Sequence, residues 1–481
     1  MAAQRSGTAA PSPGAATPST APSASNINAA AQISGTTAAE IAGSVRALVE
    51  RGELAPGDLL PPVRALAEQL GVNRNTAVAA YRRLARDGAV TTHGRAGTRI
   101  ALPAHVAQEG FAAADEPAAG VPAGTLRDLG SGNPDPAFIP DLAPALAGAV
   151  GRPVLYGDPV IDPGFEAWAR DWVAPDVPGG ATADLTLTSG AVDAIERLLT
   201  QALVRGDALA LEDPCFLASI QTVRHAGYRA LPVPVDAEGM DPDGLAAALE
   251  AGARAVVLTP RAQNPTGASL SARRAAQLAE VLAAHPYVLV ILDDYYAHLS
   301  RQPFHSPLPT GHHRWALVRS VSKALGPDLC LAVTATDPGT AERLALRLSP
   351  GTTWVSHLLQ RLAHGVLADE ASLALIAQAS EHYATQNTQV AARFTAHGIP
   401  VDPADGMSLW VPLPCPARDV SAALAQRGWR VRTGDGFRLA EDAEPSRHLR
   451  LTVHDLDEAE AERLAQDLAA AVDEVLEVRG A

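Results

Sequence analysis

Apolar residues near the start of the chain recur at the three- and four-residue spacing of amphipathic helices. Residues 37–40 have the capping-box order Thr-Ala-Ala-Glu, and Ile41 and Leu48 then fall on one helical face. A second periodic segment stops at Gly71, and a third follows Asn73, a residue type that caps helices well. The pattern predicts three consecutive helices.

The segments around these helices differ in composition. Residues 88–102 predict two short strands around a Gly-containing turn, and this wing completes a winged helix-turn-helix domain over 35–102. Residues 1–34 are mostly Ala, Pro, Ser and Thr, which predicts a disordered tail. Residues 103–127 are rich in Ala, Pro and Gly, which predicts a linker.

From about residue 128 onward, short apolar runs alternate with helical segments. The runs are LTL (185–187), ALAL (208–211), AVVLTP (255–260) and VLVILDD (288–294). This alternation predicts an α/β fold with a mainly parallel sheet over 128–481. From about residue 390 the order changes to helix, strands and a final helix, which predicts a smaller C-terminal lobe.

Composition excludes several classes of protein. No apolar run in the 481 residues reaches the roughly 18–20 residues of a membrane-spanning helix. The first 34 residues lack the features of a signal peptide, so we expect a cytoplasmic protein. The three cysteines are widely separated and suggest neither a disulfide framework nor a zinc site, and no metal is expected.

The distribution of basic residues is uneven. The net charge of −15 argues against nucleic-acid binding when taken alone. Residues 62–100, however, contain seven arginines against Glu68 and Asp87, which gives a local charge of +5. A patch of this size supplies the sequence-independent part of DNA affinity, although a solvated arginine face is the alternative.

Polar residues open the predicted third helix, the end that such domains direct into the major groove. Arginine there can read guanine, and asparagine can read adenine. The sequence of residues 59–100 closely resembles the GntR-type DNA-binding domain. Together these features nominate the following DNA-contacting residues: Arg64, Asn73, Arg74, Asn75, Thr76, Arg82, His93, Gly94, Arg95 and Gly97.

Lysine and arginine total 38, yet Lys323 is the only lysine in the chain. The guanidinium of arginine stays protonated and cannot form an imine, so a sole lysine suggests a task that needs a neutral amine. Chance survival is the alternative. Lys323 follows an apolar run, at the end of a predicted strand, and lies beside Ser320 and Ser322. This position suits an imine with a cofactor aldehyde, and the two hydroxyls would lie near a phosphate.

Other residues suit the same cofactor, pyridoxal 5′-phosphate. Asp293 ends a predicted strand, and a buried carboxylate keeps a pyridine nitrogen protonated. Asn264 in QNPTG can donate to the 3-oxygen of the ring, and Phe216 can stack on it. Ser189, Gly190 and Ala191 start a predicted helix, whose amides can hold the phosphate. Each motif also has an ordinary alternative as a turn or a strand cap.

In this order, with the lysine last, these segments resemble the fold-type I aminotransferases from about residue 128 to the end. The resemblance implies that Lys323 is the Schiff-base lysine, that Asp293 faces the pyridine nitrogen and that Asn264 lies at the 3-oxygen. The phenol that assists Asn264 is Tyr295 or Tyr296, and the spacing leaves the choice open.

The same resemblance implies two more roles and shows three departures. Tyr156 in LYGDP matches a tyrosine that reaches the phosphate of the neighbouring subunit, so a homodimer is implied, and Arg450 matches the arginine that binds a carboxylate. Cys330 stands where the family has a phosphate-binding arginine, and Phe216 where tyrosine is commoner. The residues VIDPGFEAW after YGDP also differ. The loss of the arginine predicts reversible cofactor binding.

Joined in this order, the two halves resemble the MocR subfamily of GntR regulators, in the branch linked to vitamin B6 salvage. The resemblance implies a regulator that binds a double-stranded DNA operator. Its small-molecule effector would be pyridoxal 5′-phosphate or an amine adduct of it. The alternatives are an active aminotransferase with an attached DNA-binding domain, and a structural dimer that binds DNA constitutively.

Overall fold

The structure is a computed structural model that describes residues 32–86, 89–92, 97–100, 126–151, 153–348, 354–440 and 444–480. The chain divides into two compact units, Met1–His105 and Val106–Ala481. Among the described residues, no helix is long and apolar enough to cross a membrane.

The N-terminal unit contains the three predicted helices, α1 (Ala38–Glu50), α2 (Val63–Leu70) and α3 (Arg74–Arg86). The capping box of α1 is confirmed, because the Thr37 hydroxyl accepts from the amide of Glu40 and the Glu40 carboxylate accepts from the amide of Thr37. Helix α2 ends at Gly71, whose left-handed backbone (φ 63°) glycine adopts at little steric cost.

The predicted wing is also confirmed. Strands β1 (Val90–Thr92) and β2 (Thr98–Ile100) pair antiparallel, with Val90 opposite Ile100. Both residues pack in the core of this unit. Ile33 packs in the same core and is almost fully buried, so this residue of the segment 1–34, which we predicted as a tail, belongs to the folded unit.

The C-terminal unit is an α/β fold, as predicted. Its strands are β3 (Arg127–Asp128), β4 (Asp184–Thr188), β5 (Ala208–Asp213), β6 (Arg229–Asp236), β7 (Gly239–Met240), β8 (Ala253–Leu258), β9 (Leu289–Asp293), β10 (Trp315–Ser320), β11 (Ala332–Thr336), β12 (Ser408–Pro412), β13 (Trp429–Arg430), β14 (Arg432–Thr433) and β15 (His448–Thr452). Its helices are α4 (Ala143–Ala149), α5 (Pro163–Val173), α6 (Ala191–Ala202), α7 (Leu217–Ala226), α8 (Pro242–Glu250), α9 (Ala272–Ala283), α10 (Ser322–Leu325), α11 (Pro338–Leu348), α12 (His357–Leu367), α13 (Glu370–Ala396), α14 (Ala417–Gln426) and α15 (Glu458–Gly480).

The large lobe is built on an eight-stranded sheet in the order β4-β11-β10-β9-β8-β5-β6-β7. The five strands from β10 to β6 in this order are mutually parallel, whereas β11 is antiparallel to both of its neighbours. Strands β9 and β10 are buried along their whole length. A parallel sheet covered on both faces requires such continuous apolar runs, which is why the sequence revealed these strands.

The small lobe is a three-stranded antiparallel sheet, β12-β15-β14, with helices α14 and α15. Helix α13 packs in the core of the large lobe through Ile376 and in the core of the small lobe through Phe394. Strand β3 pairs with β13, and Leu129 is buried in the small-lobe core. Arg127, which we predicted as the last linker residue, therefore already belongs to this lobe.

Candidate functional site

Lys323 and Asp293 lie at the same edge of the central sheet. Strand β10 ends at Ser320, and the short helix α10 that follows carries Lys323. Asp293 is the last residue of the neighbouring strand β9, opposite Val318 of β10. Since β9 and β10 are parallel, their carboxyl ends meet at one edge, where open α/β sheets bind ligands.

Asp293 is buried without a complete set of hydrogen bonds. Its side chain is 5% exposed, and Oδ1 has no hydrogen-bond partner among the described residues. Burial, and then the charge of Asp294, raises the pKa of Asp293 to about 7. A buried carboxylate oxygen that lacks a donor is suited to accept an N–H group from a ligand, so this position fits a protonated pyridine nitrogen.

A small cavity at this edge brings five predicted residues together. Its lining includes Lys323, Asn264, Tyr295, Tyr296 and Arg450. The Nζ atom of Lys323 donates a hydrogen bond to the backbone carbonyl of Gly132 at 2.8 Å. The only amine side chain of the protein therefore lies in a cavity beside aromatic, amide and guanidinium groups.

The two adjacent tyrosines have different environments. The Tyr295 hydroxyl donates to the backbone carbonyl of Ala262 at 2.6 Å. Tyr296 is 2% exposed, and burial raises the pKa of its phenol well above the ordinary value. Among the described residues no side-chain hydrogen bond of Tyr296 is seen. The geometry thus favours Tyr296 as the phenol that is available to a ligand.

Arg450 lies in the same cavity and is almost completely buried. It comes from strand β15, and its guanidinium stacks over the ring of Phe437 at 5.2 Å. One terminal nitrogen lies 3.5 Å from the amide oxygen of Asn264, and the other donates to the backbone carbonyl of Gly130 at 2.6 Å. A cation fixed in this way can receive a carboxylate.

Glu212 was missed by the sequence reasoning, although it precedes Phe216 in the motif EDPCF. It is buried, and it accepts hydrogen bonds from the amide of Thr259 (3.1 Å) and the side chain of Gln263 (3.4 Å). Burial raises the pKa of Glu212 to about 8. Glu212 therefore fixes the loop that carries Asn264. Its only sequence signal was a charged residue at the end of an apolar run.

The predicted phosphate site begins where strand β4 meets helix α6. The amide of Ser189 donates to the carboxylate of Asp193 at 3.0 Å, and the amide of Gly190 donates to the carbonyl of Thr188 at 2.9 Å. Two of the three predicted amides are thus already used within the chain. The amide of Ala191 belongs to the first turn of α6, where helices leave amides open to ligands.

The side chains around these amides are close together. Ser320 donates to the hydroxyl of Ser322, which donates to the carbonyl of Leu329. The thiol of Cys330 lies 3.2 Å from the carbonyl of Ser189, and a Cβ atom on Gly190 would come within 2.8 Å of it. Cys330 thus lies against the predicted phosphate site, and Gly190 (φ 89°) is needed there both for its backbone and for space.

Phe216 and Tyr156, like Asp293 and the residues of the predicted phosphate site, do not line the small cavity. Phe216 is half-buried at the start of α7 and does not line the cavity. Tyr156 is 94% exposed, and its ring contacts that of Trp354 at 5.7 Å. Tyr156 therefore does not reach the cavity of its own chain.

In the N-terminal unit, the predicted DNA-contacting side chains are on the surface. Arg64, Arg74, Asn75 and Arg82 are exposed, and Thr76 is half-buried. The Asn73 side chain accepts from the amide of Asn75 at 2.8 Å and so caps α3. Gly97 precedes β2 with a left-handed backbone (φ 90°). The predicted residues His93, Gly94 and Arg95 lie outside the described residues.

Comparison with protein families matches both units. Residues 37–100 match the model "Bacterial regulatory proteins, gntR family", and residues 125–468 match "Aminotransferase class I and II". The chain belongs to the aminotransferase class I and II family. A gntR-family domain joined to this aminotransferase domain is a MocR-like architecture, as the sequence predicted.

Two regulators resemble the chain. The vitamin B6 salvage pathway transcriptional repressor PtsJ of Salmonella typhimurium is 46% identical over 437 residues, which cover 91% of this chain and 98% of PtsJ. The HTH-type pyridoxine biosynthesis transcriptional regulator PdxR of Corynebacterium glutamicum is 30% identical over 273 residues, 54% of this chain and 56% of PdxR.

Solved structures resemble the aminotransferase domain. The kynurenine aminotransferase of Pyrococcus horikoshii, in complex with PMP, has a TM-score of 0.65 at 20% identity over 73% of this chain and 92% of that one. The α-aminoadipate aminotransferase LysN of Thermus thermophilus has a TM-score of 0.64 at 22% identity over 74% of this chain and 94% of that one. Both show that the aminotransferase domain has the aminotransferase fold.

Proposed function

We propose that the protein is a DNA-binding transcriptional regulator whose aminotransferase domain binds pyridoxal 5′-phosphate as its effector through Lys323. The observation that carries this proposal is the pair formed by the sole lysine and the buried Asp293 at one edge of the sheet. In the part of the chain that the structure describes, Oδ1 of Asp293 has no hydrogen-bond donor, and a protonated pyridine nitrogen would supply one. The winged helix-turn-helix domain, which matches the gntR-family model over residues 37–100, supports a regulatory role rather than a purely enzymatic one.

Each residue of the proposed site would have a separate role in binding the cofactor. When bound, pyridoxal 5′-phosphate supplies an aldehyde that reacts with amines and a ring that withdraws electrons. Lys323 would provide the amine, Asp293 would hold a proton on the ring nitrogen, and Asn264 would donate to the 3-oxygen. Tyr296, for which no side-chain hydrogen bond is seen among the described residues, would assist Asn264. Arg450 would bind the carboxylate of an amino-acid adduct.

Vitamin B6 metabolism is the proposed target of regulation. Support comes from PtsJ, whose name describes a repressor of vitamin B6 salvage and which aligns with 91% of this chain. The name of PdxR points to the same vitamin. A protein that binds the end product of a pathway and an operator can adjust the pathway to its product.

A homodimer is the proposed assembly. Tyr156 is too exposed to serve its own cavity, and large apolar side chains near it are also exposed. They are Leu146, Val150, Leu155, Val160 and Leu358. An apolar surface of this kind is typical of a subunit interface, across which Tyr156 would reach the phosphate of the partner. Sedimentation should give a dimer, and Tyr156→Ala should weaken cofactor binding while Tyr287→Ala, at another exposed tyrosine, should not.

The decisive experiment combines spectroscopy with operator binding. Titration with pyridoxal 5′-phosphate should give a band at about 410–430 nm, as expected of a lysine-bound cofactor, and Lys323→Ala should abolish it. Operator binding by the full chain should change when the cofactor is added to the native protein but not when it is added to Lys323→Ala. A persistent band in the variant, or an operator affinity indifferent to bound cofactor, would overturn the proposal.

The proposed DNA interface has its own test. Arg74→Ala should reduce discrimination between operator and random duplex by about 1–3 kcal/mol, because a base-reading contact is lost. Arg83→Ala, an exposed arginine one turn from the end of α3, serves as a control for charge alone and should weaken both duplexes about equally. An unchanged specificity ratio in Arg74→Ala would show that this residue does not read bases.

A second candidate function is aminotransferase activity. It is favoured by the presence of Lys323, Asp293, Asn264 and Arg450 around one site. An enzyme should convert an amino acid into its oxo acid and change the visible band as it does so, and a second oxo acid should restore the band. A protein that only senses its effector releases no oxo acid.

A further inference from the structure

Residues 129–133 directly follow strand β3 in the C-terminal unit, and we call them the 129–133 segment. Two of its backbone carbonyls are held by side chains of the cavity. Arg450 donates to the carbonyl of Gly130 at 2.6 Å, and Lys323 donates to the carbonyl of Gly132 at 2.8 Å. The two cationic side chains proposed to bind the effector therefore both contact one short stretch of backbone.

The same segment is anchored to the small lobe. The amide of Leu129 donates to the carbonyl of Arg430 (2.8 Å), and its carbonyl accepts from the amide of Thr452 (2.7 Å). The amide of Gly132 donates to the hydroxyl of Thr452 at 3.2 Å. Leu129 is fully buried, whereas Gly132 (φ 67°) lies at the cavity. The segment is thus fixed at its start by backbone hydrogen bonds. Further along it is held by side chains, which include Lys323 and Arg450 and also His454, 2.9 Å from the carbonyl of Asn133.

Effector binding has to change the contact between Lys323 and Gly132. The ammonium group of Lys323 must first release a proton to solvent, after which the neutral amine attacks the aldehyde carbon. A carbon–nitrogen double bond forms, the aldehyde oxygen leaves as water, and Nζ keeps at most one hydrogen, which is drawn to the 3-oxygen of the ring. The carbonyl of Gly132 then loses its donor. A carboxylate bound by Arg450 competes in the same way with Gly130.

The 129–133 segment lies close in the chain to the DNA-binding unit, so a change in its contacts can affect that unit. Strand β3 directly precedes it, and residues 101–125 join β3 to the DNA-binding unit. We propose that the 129–133 segment is the effector-sensing element of the protein. Lys323 and Arg450 hold the segment when no effector is bound, and they release the segment when they bind the effector. This inference rests on the proposed function, since it requires the effector to bind at Lys323.

The thermodynamic requirement for coupling is met by this arrangement. An effector shifts an equilibrium only by its different affinity for the two states. Lys323 cannot donate fully to Gly132 and be bonded to the effector at once, so effector binding and the held segment exclude each other. By linkage, anything that loosens the segment should tighten effector binding, and the effector should loosen the segment by the same factor.

Amide hydrogen exchange of the full-length protein tests the proposal directly. Peptides that cover residues 126–135 should exchange about five- to tenfold faster with pyridoxal 5′-phosphate than without it, while peptides of β9 should not. Absorbance of the same samples reports whether the cofactor is bound. A bound cofactor with unchanged exchange at 126–135 would overturn the inference and leave the proposed function intact. A missing absorbance band would overturn the proposed function instead.

Two substitutions of Lys323 separate its role as a hydrogen-bond donor to Gly132 from its ability to form a bond with the cofactor. Lys323→Ala removes the donor, so exchange at 126–135 should be fast even without cofactor. Lys323→Arg cannot form the carbon–nitrogen bond but keeps a cationic donor, so exchange should stay slow and insensitive to cofactor. Equal exchange in the two variants would contradict the proposed role of the Lys323–Gly132 contact, whatever the cofactor does.

A second pair of variants leaves the proposed cofactor contacts in place. Thr452→Val removes the hydroxyl that accepts from Gly132 and keeps the shape of the side chain. Thr452→Ser keeps the hydroxyl and is the matched control. In Thr452→Val without cofactor, exchange at 126–135 should rise, operator affinity should move at least fivefold toward its cofactor-bound value, and the cofactor should bind more tightly. Thr452→Ser should behave as the native protein. Faster exchange with unchanged operator affinity would overturn the proposal.

Discussion

The ring end and the phosphate end of the proposed effector site differ in what the chain has already satisfied. At the ring end, Asp293 is buried, and its Oδ1 atom has no donor among the described residues. At the phosphate end, the amide of Ser189 is bound by Asp193, and the hydroxyls of Ser320 and Ser322 bond within the chain. The ring end thus contains a buried carboxylate oxygen without a donor in the described part of the chain, whereas these phosphate-end groups bond within the chain.

Among the residues that the structure describes, the phosphate end also lacks the positive charge that would attract a phosphate. The thiol of Cys330 stands where the related aminotransferases are expected to place an arginine, and burial, Asp193 and Asp328 raise the pKa of that thiol above its ordinary value. Asp193 is paired with Arg197 at 2.6 Å, so the arginine does not leave a free positive charge at the site. The comparison teaches that this site should recognise the ring strongly and the phosphate weakly, which suits a ligand that must dissociate.

Removing the ring-end carboxylate should have the largest effect. Asp293→Asn keeps the shape of the side chain but cannot hold a proton on the pyridine nitrogen by charge. The dissociation constant for pyridoxal 5′-phosphate should rise roughly ten- to a hundredfold, because a charged hydrogen bond contributes about 1.5–3 kcal/mol. Absorbance titration measures it. Asp294→Asn is not a usable control, because Asp294 forms ion pairs with Arg261 and Arg319. Asp141→Asn, at an exposed surface position, is the control.

Restoring a cation at the phosphate end should strengthen binding. Cys330→Arg supplies the charge and the fork that the thiol cannot, so the cofactor should bind about tenfold more tightly and survive dialysis that strips the native protein. Cys330→Ser is the neutral control and should change little. If the native protein already keeps stoichiometric cofactor through dialysis, the phosphate end is stronger than the comparison implies.

The ring-end carboxylate should also give the ligand-free protein a characteristic pH dependence. The pKa of Asp293 is raised to about 7 in the folded protein, while an unfolded Asp titrates near 3.8. Between these values the folded state holds a proton that the unfolded state has lost, so stability falls as pH rises from about 4 to 7. Asp293→Asn removes this slope, so its free energy of unfolding should gain roughly 2–3 kcal/mol relative to the native protein as the pH rises from 5 to 8. Denaturant unfolding of both proteins at pH 5 and pH 8 measures this difference. The same change in unfolding free energy in the native protein and in Asp293→Asn would refute the assigned pKa.

The smallest effect is expected at Asp193. Asp193→Asn removes a negative charge next to the phosphate and should tighten pyridoxal 5′-phosphate binding about two- to fivefold, since the pair with Arg197 is partly solvated. Pyridoxal, which lacks the phosphate, should bind with unchanged affinity. Glu196→Gln removes an equal charge from the exposed face of the same helix and serves as the control. An equal gain for both ligands would mean that Asp193 does not act on the phosphate.

Much of the fold was predictable because its signals are local. Continuous apolar runs predicted β8 and β9, and capping-box spacing predicted the start of α1 at Thr37. The boundaries were less accurate for a physical reason. Ile33 and Arg127 lie in segments rich in small residues. Distant parts of the chain hold them in place, the N-terminal core for Ile33, and strand β13 with Asp455 for Arg127.

The sequence by itself determined the chemistry that is available, and the tertiary structure decided which groups remain free to use it. A single lysine and a carboxylate at a strand end, Lys323 and Asp293, can be read from residue type and spacing alone. The choice between Tyr295 and Tyr296 cannot, because it depends on the carbonyl of Ala262, 33 residues away, which takes the hydroxyl of one of them. Hydrogen-bond capacity is used up by contacts between distant parts of the chain, and a linear sequence does not reveal those contacts.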